Sequence, residues 1–94
     1  MGKKKEKDLE HATATWEKEQ VQAAALLAEV EKSAAIIDGH RAELTNEQYL
    51  ELAERMDERR DEIQEWLMGC LSKYVEKCHA LGVEPVLTKE NEVA

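Results

Sequence analysis

The feature that most constrains this chain is the spacing of its apolar residues, which alternates between three and four positions along two long stretches. Such a ladder places its members on one side of an α-helix, as in the seam of a coiled coil. The first ladder consists of Leu9, Thr13, Trp16, Gln20, Ala23, Leu27, Val30, Ala34 and Ile37. The second consists of Tyr49, Ala53, Met56, Arg60, Ile63, Leu67, Cys70, Tyr74, Cys78 and Leu81. The pattern predicts two long helices, over about residues 6–38 and 46–81.

Local signals mark the joint between these helices. Gly39 follows the first ladder, where a glycine in the left-handed conformation often closes a helix. Thr45 and Gln48 have the spacing of a capping box. Leu44 and Tyr49 flank that box as a hydrophobic staple would. The joint is only about six residues long, which forces the two helices to lie side by side in opposite directions.

We therefore predict an all-α fold, a long antiparallel helical hairpin with a short C-terminal tail. Gly82 is placed to end the second helix, with Val83 folding back onto Cys78, and Pro85 prevents the helix from resuming. The chain is short enough for one domain. The predicted parts of that single domain, 1–94, are a basic disordered head 1–5, a helix 6–38, a turn 39–45, a helix 46–81 and a tail 82–94.

The apolar surface is wider than one ladder. Aligning the ladders about the turn pairs Ile37 with Tyr49, Val30 with Met56, Ala23 with Ile63 and Trp16 with Cys70. Further apolar residues lie beside them, and a stripe wider than one neighbour can cover predicts a second neighbour. We expect a homodimer forming a four-helix bundle, or a larger oligomer. The predicted oligomer interface consists of Trp16, Leu26, Leu27, Val30, Ile63, Trp66, Leu67, Leu71, Tyr74 and Val75.

Two alternatives to self-association stay open at this point. A different protein could cover the same apolar stripe. The tail, Val83–Leu87, could also fold back over it and leave the chain a monomer.

Acidic residues are concentrated near the turn. The chain has 21 acidic and 13 basic side chains, a net charge of −8, which argues against direct binding of nucleic acid. Residues 38–65 carry most of this negative charge, with ten acidic residues against four arginines. The opposite end of the hairpin carries Lys3, Lys4, Lys5, Lys7, Lys73 and Lys77. We predict a binding face for a basic protein surface at Glu51, Glu54, Asp57, Glu58, Asp61 and Glu62; a solvated helix face with weak ion pairs is the alternative.

The cysteines and the apolar runs bear on compartment. Cys70 and Cys78 lie eight residues apart, roughly 12 Å along a helix, too far for a disulfide within one chain. We predict reduced core thiols in a cytoplasmic protein, with a disulfide between two chains left open. No apolar run approaches the ~18 residues of a membrane helix, and no apolar stretch follows the basic start as in a signal peptide. We expect no membrane partner.

The leading functional hypothesis is a non-enzymatic, oligomeric protein–protein interaction module, such as an adaptor, an assembly chaperone or a small inhibitor. Many accessory proteins of bacteriophages and of bacterial secretion systems are of this kind. We predict no catalytic residue, no metal site and no cofactor. One alternative is a protein that binds a small anionic ligand or nucleotide between subunits, near the lysine-rich end.

A magnesium-dependent nucleotide hydrolase is the third hypothesis. All-α nucleotide pyrophosphohydrolases hold magnesium with paired carboxylates at i, i+3 on their helices. Glu51 with Glu54, and Glu58 with Asp61, have that spacing. The first helix offers no facing glutamate pair, however, so we rank this hypothesis below the other two.

Overall fold

The computed structural model describes residues 2–85 and is a helical hairpin, as predicted. Helix α1 spans Gly2–Gly39, a short 3-10 turn spans Arg41–Glu43, and helix α2 spans Asn46–Ala80. The two helices run antiparallel and form a rod 64 Å long and 21 Å wide. Strands are absent from the described part of the chain. Met1 and residues 86–94 of the predicted tail lie outside the described residues.

The main difference from the predicted boundaries is at the start of α1. Residues 2–5, for which we predicted a disordered head, form the first turn of the helix. Lysine and glutamate, which dominate this segment, are good helix formers. Lys5 also lies close to Gly82: its ammonium nitrogen is 3.6 Å from the position that a Cβ on this glycine would occupy. That position is at the C-terminal end of α2, where the helix dipole favours a positive charge.

The turn closes without a left-handed residue, so the expectation for Gly39 is wrong. Gly82 is the one residue in the described range with a positive φ. The chain leaves α1 through a right-handed 3-10 turn instead, in which the backbone N–H of Glu43 donates to the carbonyl of His40 at 2.9 Å. Since each residue there keeps a negative φ, no glycine is required to reverse the chain.

The start of α2 is fixed by the predicted capping box. Thr45 Oγ1 accepts from the backbone N–H of Gln48 at 3.1 Å, and Gln48 Oε1 accepts from the N–H of Thr45 at 3.0 Å. Tyr49, one residue further on, donates from its hydroxyl to Asp38 Oδ1 at 2.8 Å and lies under the guanidinium of Arg41, 3.9 Å from the ring centroid. These contacts tie α1, the turn and α2 together. The staple with Leu44 stays a prediction.

The end of α2 is a Schellman closure, as predicted. Gly82 has a φ of 72°, and its N–H donates to the carbonyl of His79 at 3.0 Å. The N–H of Val83 donates to the carbonyl of Cys78 at 2.9 Å, and the Val83 side chain packs against the buried cluster that contains Cys78. Carbonyls at the end of the helix thus gain hydrogen-bond donors.

Two buried clusters form the core. One contains Trp16, Cys70, Tyr74 and Cys78, and the other contains Ala23, Val30 and Ile63, with Met56 packed against it. The Trp16 and Tyr74 rings stack with centroids 6.0 Å apart, and the Tyr74 hydroxyl is 3.2 Å from Thr13 Oγ1. These clusters confirm the predicted register.

The predicted pairing at the turn is also present, since Ile37 and Tyr49 line one cavity. Alternating small and large side chains along the two seams allow this register.

Candidate functional site: an acidic turn end and a charged groove

The predicted acidic face is a real surface of α2. All six of its carboxylates are exposed. Three of them pair with arginines of the same helix: Glu51 with Arg55 at 3.4 Å, Glu62 with Arg59 at 3.2 Å and Asp57 with Arg60 at 2.7 Å. The other three, Glu54, Glu58 and Asp61, have no ion pair within 4 Å among the described residues.

The contacts of Arg60 explain how this charged residue can occupy a position in the apolar seam. Its Nε donates to Glu31 Oε1 on α1 at 2.9 Å, while the same guanidinium holds Asp57. The hydrogen bond from Arg60 to Glu31 raises the pKa of Arg60, with further contributions from the charges of Glu31 and Asp57. The guanidinium is held at the edge of the seam, so an ion pair joins α1 and α2 here in addition to the apolar packing of the neighbouring seam residues.

The hairpin itself uses part of the predicted oligomer interface. Trp16, Val30, Ile63 and Tyr74 are buried between α1 and α2. Five more side chains are half-buried along the flanks: Leu26, Leu27, Leu67, Leu71 and Val75. Trp66 is 40% exposed. The last six are therefore open to another chain, although Val75 lies about 180° around α2 from Trp66 and so on the other flank, whereas the first four belong to the core of one hairpin.

Other large apolar side chains are more exposed than Trp66. They are Val21, Leu50, Ile36 and Met68, each more than 60% exposed. Leu50 and Met68 belong to neither ladder nor to the predicted interface, so spacing gave no signal for them. Hairpin packing leaves them exposed, since each follows a seam residue, Tyr49 or Leu67, by one position and so lies about 100° around the helix from it.

A groove between α1 and α2 lies near the lysine-rich end. It encloses a cavity of about 250 Å³ lined by His11, Ala12, Thr15, Glu19, Cys70, Lys73, Tyr74 and Lys77. Burial raises the pKa of the Cys70 thiol to about 11, helped by its hydrogen bond to Glu19 and by the charge of that carboxylate. The thiol is therefore protonated at neutral pH and is a poor nucleophile. Lys73 and Lys77 lie at the opening on α2, and Glu19 and His11 lie at it on α1.

A second cavity lies between the same two helices, nearer the turn. It measures about 190 Å³ and is lined by Leu26, Glu29, Val30, Ser33, Met56 and Arg59. Trp66 lies seven residues from both Arg59 and Lys73, so the three residues share one edge of α2. We name the groove formed by these two cavities, with Trp66 at its edge, the Trp66 groove.

Several kinds of site are absent from the described residues. Within residues 3–85, no three His, Cys, Asp or Glu side chains converge in a way that could hold a metal ion. Neither described helix has an apolar stretch long enough to cross a membrane. The carboxylate pairs spaced like those of nucleotide pyrophosphohydrolases are exposed on α2.

Comparisons with protein-family models, with curated proteins and with solved structures found no match to this chain.

Proposed function

We propose that this protein is a non-enzymatic helical interaction module of the cytoplasm, which self-associates and binds a basic surface of another protein through its acidic turn end. The observation that carries the proposal is the thinness of the hairpin. It buries seven apolar side chains in the described range and leaves five large ones exposed. Large apolar side chains left exposed on so thin a molecule support a partner that covers at least one flank of it.

Self-association follows from the geometry of two helices. Each helix of a hairpin has one neighbour, so only one side of it can be buried, although the apolar stripe on α2 spans both flanks. Leu67, Leu71 and Val75 are half-buried and Trp66 is more exposed still. A second hairpin packed on one flank would cover part of this stripe and give each helix two neighbours, as in a four-helix bundle.

The acidic turn end supports the choice of a basic partner. The three carboxylates without an ion pair, Glu54, Glu58 and Asp61, lie on one exposed side of α2. Such a field attracts a positively charged surface from a distance and disfavours an acidic one. An adaptor, an assembly chaperone or a small inhibitor would use it in this way.

Charge reversal with a matched control tests the acidic face. We would replace Glu58, Asp61 and Glu62 by lysine, and compare a control in which Glu6, Glu10 and Glu17 on α1 are replaced by lysine. Both variants change the net charge equally, and all six positions are exposed. The proposal expects that a partner recovered with the wild-type protein at physiological salt is lost with the first variant and kept with the control. Equal recovery with both variants would contradict it.

The groove favours a second candidate function, the binding of a small anionic molecule such as a nucleotide. Lys73, Lys77 and His11 surround its opening near the lysine-rich end. A panel of nucleotides should then raise the melting temperature of the wild-type protein, and should not raise that of a variant with Lys73→Gln and Lys77→Gln. A panel without effect on the wild-type protein would remove this candidate.

A further inference from the structure

The two walls of the Trp66 groove carry opposite charges. The α1 wall presents Glu19 and Glu29, and the α2 wall presents Arg59, Lys73 and Lys77. Glu62 lies near the same edge and offsets part of the charge of Arg59, with which it pairs. The groove is therefore acidic along one helix and basic along the other. A surface of this kind is complementary to a copy of itself that is turned so that each wall meets the opposite one.

Trp66 lies at the middle of the rod. The register places Trp66 between the levels of Ala23–Ile63 and Trp16–Cys70, where α1 is also halfway between Gly2 and Gly39. Leu26, which is half-buried, lies on the facing wall. Along each wall an apolar residue thus lies between charged ones, Leu26 between Glu19 and Glu29 and Trp66 between Arg59 and Lys73, as in an interface with polar residues around apolar ones.

Two symmetric arrangements could bring this flank against its copy. In a homodimer, the same patch is used by both partners about a two-fold axis. An axis across the rod lays α2 on α2, and because Arg59 and Lys73 are equidistant from Trp66, it brings these two cations together. An axis along the rod lays α1 on α2 of the other copy. Glu29 then meets Arg59, and Glu19 meets Lys73, with every neighbouring pair of helices antiparallel.

We propose, resting on the self-association argued above, that a second copy of this chain covers the Trp66 groove with the two-fold axis along the rod. The four helices form a bundle, with both turns at one end. One side of the rod, 64 Å by 21 Å, is larger than the ~800 Å² that each partner contributes to a standard interface.

This arrangement places the two acidic turn ends side by side. Their mutual repulsion is screened over about 8 Å at physiological salt, a shorter distance than the 21 Å width of one hairpin. The dimer therefore offers a basic partner a doubled acidic surface at one end of the bundle and a doubled lysine-rich surface at the other.

The orientation can be measured with one spin label per chain. Ala42 is exposed in the turn, so Ala42→Cys in a background with Cys70→Ala and Cys78→Ala places the label there. The proposal expects a dimer mass by light scattering and a label-to-label distance close to the 21 Å width of a hairpin. If the background variant loses its helicity, the same label on the native background gives the same readout, because both native cysteines are buried.

The outcomes separate the two proposals. A dimer with labels near the 64 Å length of the rod overturns the orientation and leaves self-association intact. A monomer mass overturns both.

A pair of surface variants tests which flank is covered. Met68 is 61% exposed and lies two residues from Trp66, about 200° around the helix and so on the other flank. Trp66→Glu should raise the dissociation constant of the dimer by at least about tenfold, as expected for a central tryptophan, whereas Met68→Glu should leave it unchanged. Dissociation by Met68→Glu alone, or by neither variant, would contradict the proposal.

Discussion

The two halves of the rod are held together by different interactions. In the described chain the larger buried cluster, which contains Trp16 and Tyr74, lies in the half near the chain ends. The smaller one, Ala23, Val30 and Ile63, lies on the turn side of Trp66, and no described side chain between Val30 and Ile63 is buried. The half near the turn therefore has the smaller core and adds polar contacts at its surface, such as the hydrogen bond from Tyr49 to Asp38 and the ion pair between Arg60 and Glu31. Because a short turn already keeps the helices close, little entropy is lost in closing that end. The open end needs packing to stay together.

This difference bears on function. A half that needs little burial can carry exposed carboxylates without cost to a core, and the acidic face occupies that half. The half with the aromatic cluster includes the larger cavity of the Trp66 groove. We infer that the turn half serves recognition and that the other half serves assembly.

The largest expected effect comes from the aromatic stack at the open end. Trp16→Ala should lower the free energy of unfolding by about 3–5 kcal/mol, because it removes a buried tryptophan and leaves a cavity. Guanidinium unfolding followed by circular dichroism, at one fixed protein concentration, measures the change. Trp16→Phe should cost much less, since the buried indole N–H has no hydrogen-bond partner in the described structure.

The control for this prediction is Val21→Ala, at a site that is 70% exposed. It should change stability by less than about 0.5 kcal/mol. A loss below about 1 kcal/mol for Trp16→Ala would mean that the open end is not held by its core.

Gly69 within α2 and Gly82 just after its end give a matched pair of substitutions that should change stability in opposite directions. Gly82→Ala should cost about 1–2 kcal/mol, since a φ of 72° is strained for any residue with a Cβ. Gly69→Ala should gain about 0.5–1 kcal/mol, because alanine is the better helix former and a Cβ there would meet nothing within 4 Å. Thermal unfolding of the two variants decides the point; equal effects would show that the closure at Gly82 does not hold the open end.

A smaller effect is expected from the cap at the turn. Thr45→Ala removes the side-chain acceptor for the N–H of Gln48 and should cost about 1 kcal/mol. Ser72→Ala, an exposed change within α2, should be neutral or slightly stabilising. If urea unfolding gave Thr45→Ala as large a cost as Trp16→Ala, the contrast between the two halves would be lost.

The Cys70 thiol makes the stability of the open half depend on pH. Its pKa is raised from 9.0 to about 11 in the folded chain, so the folded state binds more protons than the unfolded state between these values. Stability from this group is fully present below pH 9 and is lost as pH rises toward 11. The difference in unfolding free energy between wild type and Cys70→Ala should therefore be constant below pH 9 and shift against the wild type above it. A constant difference up to pH 11 would contradict the assignment.

Periodicity was sufficient to predict the hairpin and its register. Trp16 meets Cys70, and Ala23 meets Ile63, because regular spacing on two helices joined by a short turn leaves one alignment that buries both ladders. The capping box at Thr45 and the closure at Gly82 were predictable as well, since each depends on residues within one turn of helix.

Contacts that depend on the geometry between helices were not predictable from spacing. The ion pair of Arg60 with Glu31 and the hydrogen bond of Tyr74 with Thr13 require side chains of two helices to meet. The conformation of Gly39 was predicted wrongly because the 3-10 turn offered the chain another way to reverse. The acidic face could be predicted by counting charges along the sequence. The Trp66 groove could be recognised only from the two packed helices.

The central claim is that one hairpin cannot cover its own apolar surface, and the mass of the protein in solution tests it most directly. Sedimentation equilibrium at micromolar concentration and physiological salt should give twice the 10.7 kDa mass of the chain. A mass of 10.7 kDa, unchanged as the concentration rises, would contradict the account.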